Sequence, residues 1–206
     1  MSKSYKSIET KLIHAGEASP RIKGAVVLPV FQSSTYEYAG EASYHDVKYI
    51  RLNNTPNHFA LHEKLAALEN AEAAIVTASG MAAISTSLLA VLSAGDHILM
   101  QDCLYGGTHD LVTKDFAGFG LSYTFIKGDD AASWEAHLRP NTRAIYVEAM
   151  TNPLLQVADL KAVAAPNRYG LPPFFQRHVW LWAPNPLGMF NDWNSEVTCR
   201  GNGDPA

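Results

Sequence analysis

Apolar and polar positions follow two periods along this chain, and the period switches repeatedly between residues 61 and 165. Leu61, Leu65 and Leu68 recur at helical spacing in "LHEKLAALEN". Ala74-Ile75-Val76 then reads as a short buried strand, and the uncharged stretch from about Met81 to Leu92 as a helix. "SAGD" (93–96) marks a turn. "HILMQ" (97–101) predicts a strand, residues 106–117 a helix and "LSYTFIK" (121–127) a strand. "DDAASWEAHL" reads as a helix whose acidic start suits the helix dipole. "TRAIYVEA" (142–149) predicts another strand, and "ADLKAVAA" opens a helix with Asp159 as its cap. Strands alternating with helices predict an α/β fold, a mostly parallel sheet with flanking helices on both faces.

The two ends of the sequence lack this order. Residues 1–45 show little periodicity, and Pro29 in "GAVVLPVFQSSTY" argues against a central strand there. They are expected to form an extended N-terminal arm. From Pro166 onward the 41 residues hold three of the four Trp and six of the eleven Pro. Neither period survives among those prolines, so 166–206 is expected to be an irregular, weakly packed tail that adds no strand.

Composition narrows the function classes. The chain is 47% hydrophobic and 17% charged, as a packed core requires. A net charge of −4 without a Lys/Arg run speaks against a nucleic-acid or anionic-membrane surface. No apolar run spans a bilayer and "MSKSYKSIET" lacks a leader's apolar segment, so a cytoplasmic protein is expected. Cys103 and Cys199 lie far apart and form no disulfide framework. Cys103 reads as a buried apolar residue, and Ser33-Ser34-Thr35 as a polar turn. His58 and His62 stand four apart with no third ligand nearby, so they read as surface histidines and no metal site is expected.

The Ser79-Gly80 pair joins a strand to a helix. In open parallel sheets ligands sit beyond the carboxyl ends of the strands. A helix N-terminus there offers unpaired N–H groups and partial positive charge, a natural seat for phosphate. Taken alone, the pair is more often a simple helix cap. Other residues share that edge. Tyr105 follows a strand in "DCLYGGTHDL" and precedes two glycines. Glu148 and Asn152 in "EAMTNP" end the next strand. Tyr49 and Arg51 stand two apart in "YIRLNN"; an extended segment would send both to one side, where they suit a phosphate.

Together "KLIHAGE" (11–17), "VFQSSTY", "YIRLNN", "LHEKLAALE", "TASGMAAI", "DCLYGGTH" and "EAMTNPLLQVADL" resemble the Cys/Met-metabolism, or trans-sulfuration, family of pyridoxal-phosphate enzymes. The likeness runs over about residues 8–165. It implies an incomplete type I aminotransferase-like fold, with 1–45 as an arm and 46–165 as a truncated cofactor-binding domain. It also implies pyridoxal 5'-phosphate as cofactor and a homotetramer of catalytic dimers. The substrate would be a sulfur-containing amino acid: cystathionine, cysteine or methionine, or O-acylhomoserine in a sulfhydrylase. Residue by residue, Ser79, Gly80 and Met81 match the loop that holds the cofactor phosphate. Tyr105 matches the tyrosine that stacks on the pyridine ring and takes part in proton transfer. Asn152 matches the residue near the ring oxygen, with Glu148 beside it. Tyr49 and Arg51 match a pair that reaches the phosphate of the neighbouring subunit.

Two of the family's motifs do not occur in this sequence. One is the Ile-Asp-Asn-Thr strand whose Asp pairs with the pyridine nitrogen. The other is the Ser-x-Thr-Lys segment whose lysine bonds the aldehyde. The last lysine is Lys161, on the final predicted helix. The sequence therefore reads as a truncated, inactive form of such an enzyme. The alternative is a non-enzymatic remnant that associates with an intact homologous subunit.

Overall fold

The computed structural model describes residues 5, 7–127, 131–159, 180–182 and 196–198. The chain forms two compact units, Met1–Val76 and Thr77–Ala206.

The first unit is built on two helices, α1 (Ile8–His14) and α2 (Pro56–Leu68), which lie against each other. The arm is therefore not wholly extended. Ser7 caps α1 by accepting from the Thr10 amide at 3.3 Å, and Glu9 sits in its first turn, a start signal spread over too few residues to show as a period. Gly16, at φ +72°, lets the chain pass the Ala60 carbonyl of α2; a Cβ there would stand 2.0 Å from that oxygen. Residues beyond it are tied down by side chains. Glu17 accepts from the Leu28 amide at 2.9 Å and pairs with Lys64 at 3.3 Å. Asn57 accepts from the Phe31 amide at 2.7 Å and donates to the Pro29 carbonyl at 3.0 Å. The Ser33 hydroxyl bonds the Thr35 carbonyl, a local turn. A two-residue strand, β1 (Ala74–Ile75), closes the unit's ordered elements.

The second unit starts with α3 (Gly80–Val91), then alternates β2 (His97–Gln101), α4 (Gly106–Asp110), β3 (Ser122–Ile126), α5 (Ala131–Ala136) and β4 (Thr142–Tyr146). Strand order is β3-β2-β4, all parallel, with β2 central. All five residues of β2 are buried, as in a strand covered on both faces. Alternate side chains feed two cores. Ile98, Met100, Ala144 and Tyr146 pack with Ile84 and Leu88 of α3 and with Val112 and Phe116, which follow α4. Leu99, Ile126 and Val147 pack on the other face with Trp134 of α5. The helix predicted over 106–117 is present but changes pitch after Asp110, through a π turn at Leu111–Asp115 and a 3₁₀ turn at Phe116–Phe119.

One expectation about the tail is corrected. Two short strands, β5 (Trp180–Trp182) and β6 (Glu196–Thr198), pair antiparallel, Leu181 opposite Val197. "WLW" has the aromatic content that favours a strand, and the prolines at 184 and 186 fall just outside it. The helix expected to begin at Asp159 lies outside the described residues, as do Lys161 and Cys199. No helix among the described residues is long and apolar enough to cross a membrane.

Candidate functional site

Parallel pairing puts the carboxyl ends of β2, β3 and β4 on one edge, since Met100 pairs with Tyr146 and Gln101 with Ile126. The residues singled out in the second unit follow these ends or begin α3. Ser79, in extended backbone, caps α3: its hydroxyl oxygen accepts from the Ala82 amide at 3.1 Å, and its carbonyl accepts from Ala83 at 3.0 Å. A helix's i→i−4 pattern provides no partner for the amides of its first residues, here Gly80 and Met81. Gly80 is buried and Ser79 exposed.

Tyr105 stands at the N-cap of α4. Its ring folds back over Gly107, where an added Cβ would lie 2.6 Å from the ring edge and 2.9 Å from the Met81 sulfur. A side chain there would have to push the ring or the sulfur aside, and the glycine lets the start of α3 and the Tyr105 ring come together. The Tyr105 amide donates to both carboxylate oxygens of Glu148, at 3.1 and 3.2 Å. Glu148 in turn donates its amide to Gln101 Oε1 at 3.1 Å, and its Oε1 accepts from the Tyr146 hydroxyl at 3.5 Å. Burial pushes the Glu148 carboxyl above its ordinary value, opposed by the Tyr105 amide and the Tyr146 hydroxyl. Burial, then the Glu148 charge, drives the Tyr146 phenol far up, so it stays a neutral donor.

Asn152 occupies the exposed tip of a loop closed by Thr151, whose amide donates to the Gln156 carbonyl at 2.9 Å and whose hydroxyl accepts from the Gln156 amide at 3.0 Å. The Asn152–Pro153 bond is cis. Met81, Tyr105 and Glu148 thus form one connected group, with Ser79 and Gly80 attached through α3.

Tyr49 and Arg51 belong to the first unit. The backbone there is a 3₁₀ turn, Ile50–Leu52, rather than an extended segment. Asn53 ends it in the left-handed region at φ 55°, which Asn tolerates, and the Asn54 carboxamide accepts from the Tyr49 amide at 2.9 Å. The two side chains still share a side, because the Arg51 guanidinium lies 4.8 Å from the centre of the Tyr49 ring.

Sequence reasoning missed Gly107, Gln101 and Tyr146. Gly107 was visible as the second glycine after Tyr105, and Gln101 as a polar residue ending an apolar strand. Three other expectations are corrected. His58 is a capping residue whose ring nitrogen lies 2.8 Å from the Thr55 hydroxyl. His62 is half-buried, with its Nε2 unpaired among the described residues, beside a cleft of about 340 Å³ lined also by Leu52, Phe59 and Ile75. Cys103 is half-buried rather than sequestered.

The capped start of α3, the Tyr105 ring and the polar residues after β4 thus stand together at one end of the sheet. Residues 9–169 match the model of the Cys/Met metabolism PLP-dependent enzyme family, and the chain belongs to that family. It is 43% identical over 154 residues to a probable cystathionine gamma-synthase of Herpetosiphon aurantiacus, covering 75% of this chain and 48% of that protein. It is 39% identical over 163 residues to the cystathionine beta-lyase MetC of Bacillus subtilis (strain 168), covering 79% of this chain and 41% of the relative. Among solved structures, cystathionine gamma-lyase from Lactobacillus plantarum complexed with L-serine superposes with a TM-score of 0.79 at 30% identity, over 95% of this chain and 55% of that one. MetB from Corynebacterium glutamicum gives a TM-score of 0.71 at 32% identity, over 79% and 42%. The chain therefore spans less than half the length of these two curated relatives.

The family's cofactor is pyridoxal phosphate. The described residues fit part of it. The Gly80 and Met81 amides and the Ser79 hydroxyl suit the phosphate, and the Tyr105 ring, half-buried against Met81 and Gly107, suits a stacked pyridine. No lysine stands in a Ser-x-Thr-Lys segment to meet the aldehyde.

Proposed function

We propose that this chain carries the phosphate- and ring-binding part of the active site of a trans-sulfuration enzyme acting on sulfur-containing amino acids. The reading counts 1–45 as its arm and 46–165 as its cofactor domain. One observation carries it: Met81, at the capped start of α3, and the ring of Tyr105 meet over Gly107. When bound, pyridoxal phosphate supplies an electron-withdrawing ring that labilises bonds at the amino acid's α-carbon. In this reading Gly80, Met81 and Ser79 bind the phosphate. Tyr105 stacks on the ring and moves a proton at its phenolic oxygen. Asn152 contacts the ring-oxygen edge. Tyr49 and Arg51, already adjacent, serve the phosphate of a neighbouring subunit, in an assembly of catalytic dimers paired as a tetramer.

The reaction is carbon–sulfur cleavage or exchange, on cystathionine, cysteine, methionine or O-acylhomoserine. A polypeptide of these 206 residues has no lysine after Lys161, and Lys161 stands in helix-like text rather than at a strand end. We assign it cofactor binding without turnover on its own. Loss of a positioned base alone typically costs about 10²–10⁴-fold.

Equilibrium dialysis against pyridoxal phosphate and against unphosphorylated pyridoxal tests the binding reading. The phosphorylated form is expected to bind at least about tenfold more tightly, a difference of roughly 1.4 kcal/mol. Equal binding would remove the phosphate seat. Release of 2-oxo acid from cystathionine tests the second part, with rates expected at the level of free cofactor. Turnover above that level, lost on Lys161→Ala, would overturn it.

A further inference from the structure

Glu148 keeps a carboxylate where little of it meets water, with 9% of the residue exposed. Among the described residues its oxygens meet the Tyr105 main chain and the Tyr146 hydroxyl and no cation. Both oxygens accept from the same N–H, that of Tyr105, at 3.1 and 3.2 Å. Its own amide is fixed by Gln101, the last residue of β2, at 3.1 Å. A third tie comes from the Tyr146 hydroxyl at 3.5 Å. The carboxylate therefore bridges the ends of two neighbouring strands and grips the turn by which one of them enters α4.

We infer that Glu148 is a positioning residue for the ring of Tyr105: it fixes the backbone from which the ring springs, while Gly107 and Met81 limit where the ring can lie. The value of this for function rests on the cofactor reading above. Stacking is sensitive to ring offset and tilt, so a turn free to shift presents a poorer face. A carboxylate suits the task, because both of its oxygens can accept from one N–H. A carboxamide would offer one oxygen and bring a competing NH₂ group, and a hydrogen bond to a charged acceptor is the stronger kind.

The test compares the full chain with E148A and E148Q, by backbone amide exchange and by binding of pyridoxal phosphate and of inorganic phosphate. Exchange at the Tyr105 amide is expected to quicken about tenfold in E148Q and about a hundredfold in E148A, following the loss of a charged and then of any acceptor. The Val112 and Phe116 amides, in the same unit, are expected to change less than about threefold. Pyridoxal phosphate should bind about tenfold more weakly to E148A, with inorganic phosphate unchanged within roughly twofold, since phosphate needs only the start of α3. E148Q should recover most of the pyridoxal phosphate affinity.

An unchanged Tyr105 amide in both variants would overturn the inference. So would a parallel fall in both affinities, or loosening of Val112 equal to that of Tyr105 in E148Q, since each marks a merely structural role. If E148A does not fold, E148Q decides by the same criteria. If the unmodified chain binds neither ligand, the cofactor reading fails while the exchange comparison still decides for or against Glu148.

Discussion

The second unit buries an ionisable side chain near each edge of its sheet, and the two are handled differently. At the amino edge His97, the first residue of β2, is fully buried, with ring nitrogens 2.8 Å from the Thr142 hydroxyl and 3.0 Å from the Thr124 hydroxyl. Those hydroxyls also accept from Arg139, Thr142 from its amide at 2.8 Å and Thr124 from its guanidinium at 2.9 Å. That network ends on Arg139, an exposed side chain at the amino edge. At the carboxyl edge Glu148 is as well satisfied, and its hydrogen bonds lead to Tyr105, whose ring stands beside the start of a capped helix. Burial alone does not separate a structural polar group from a functional one. The difference lies in what the hydrogen bonds lead to.

Breaking the amino-edge network is expected to give the largest change in stability and none in binding. His97→Ala removes the partner of a buried hydroxyl, Thr142, and of a half-buried one, Thr124, and leaves a void. It should lower the unfolding free energy by about 2–4 kcal/mol in urea titrations, with pyridoxal phosphate affinity of the folded fraction unchanged. A loss of affinity matching the loss of stability would erase the contrast between the two edges.

Gly107→Ala reverses that pattern. The added methyl meets the Tyr105 ring at 2.6 Å and the Met81 sulfur at 2.9 Å. Overpacking of this kind costs about 1–3 kcal/mol where the neighbours cannot move. This ring is only half-buried and gives way, so the stability loss should fall at the low end of that range, with pyridoxal phosphate affinity down about tenfold. Unchanged affinity would show that the ring pose does not matter.

The two edges should also answer pH in opposite senses. Burial, then the Arg139 charge, holds His97 below its ordinary 6.5, and burial, then the His58 charge, does the same to His62 in the first unit. Between the folded and unfolded values the unfolded chain binds more protons. The stability that neutral histidine confers is therefore complete above pH 6.5 and lost as pH falls toward the folded value. Each such histidine adds a slope of at most about 1.4 kcal/mol per pH unit. Glu148 runs the other way: raised above its ordinary 4.5, it penalises the folded state as pH climbs past that value. Unfolding measured across acid pH in H97Q and E148Q separates them. H97Q should flatten the acid-side fall, and E148Q should steepen it.

Much of this arrangement was legible in the sequence. The strands at 97–101, 122–126 and 142–146 follow from apolar runs bounded by turns, and α3 from an uncharged helical stretch, because a sheet covered on both faces demands such text. Ser79 as a cap and Tyr105 after a strand could be placed from residue type and position. The roles of Gly107 and Gln101 could not, since they depend on Met81 and Glu148, remote in sequence, nor could that of Tyr146, which depends on the burial of Glu148 beside it. Tyr49 and Arg51 were paired for the wrong local reason: a 3₁₀ turn, set by Asn53 and Asn54, does what an extended segment was expected to do. The α1 helix was missed because seven residues carry too little periodicity, and its capping serine was the only strong signal.

The smallest effect expected concerns the cap itself. Ser79→Ala removes the acceptor for the Ala82 amide and should cost about 1 kcal/mol of stability. It should also weaken inorganic phosphate binding, which Ser87→Ala, further along the same helix, leaves alone.

The central claim is that the start of α3 and the Tyr105 ring form one cofactor seat. Titrating the ¹⁵N-labelled chain with pyridoxal phosphate while following backbone amides tests it most directly. The account predicts saturable shifts at Gly80, Met81, Ala82 and Tyr105, sharing one dissociation constant, with His97 and Thr142 at the far edge unmoved. Saturable binding that shifts the far edge, or leaves Gly80 and Met81 still, would contradict it.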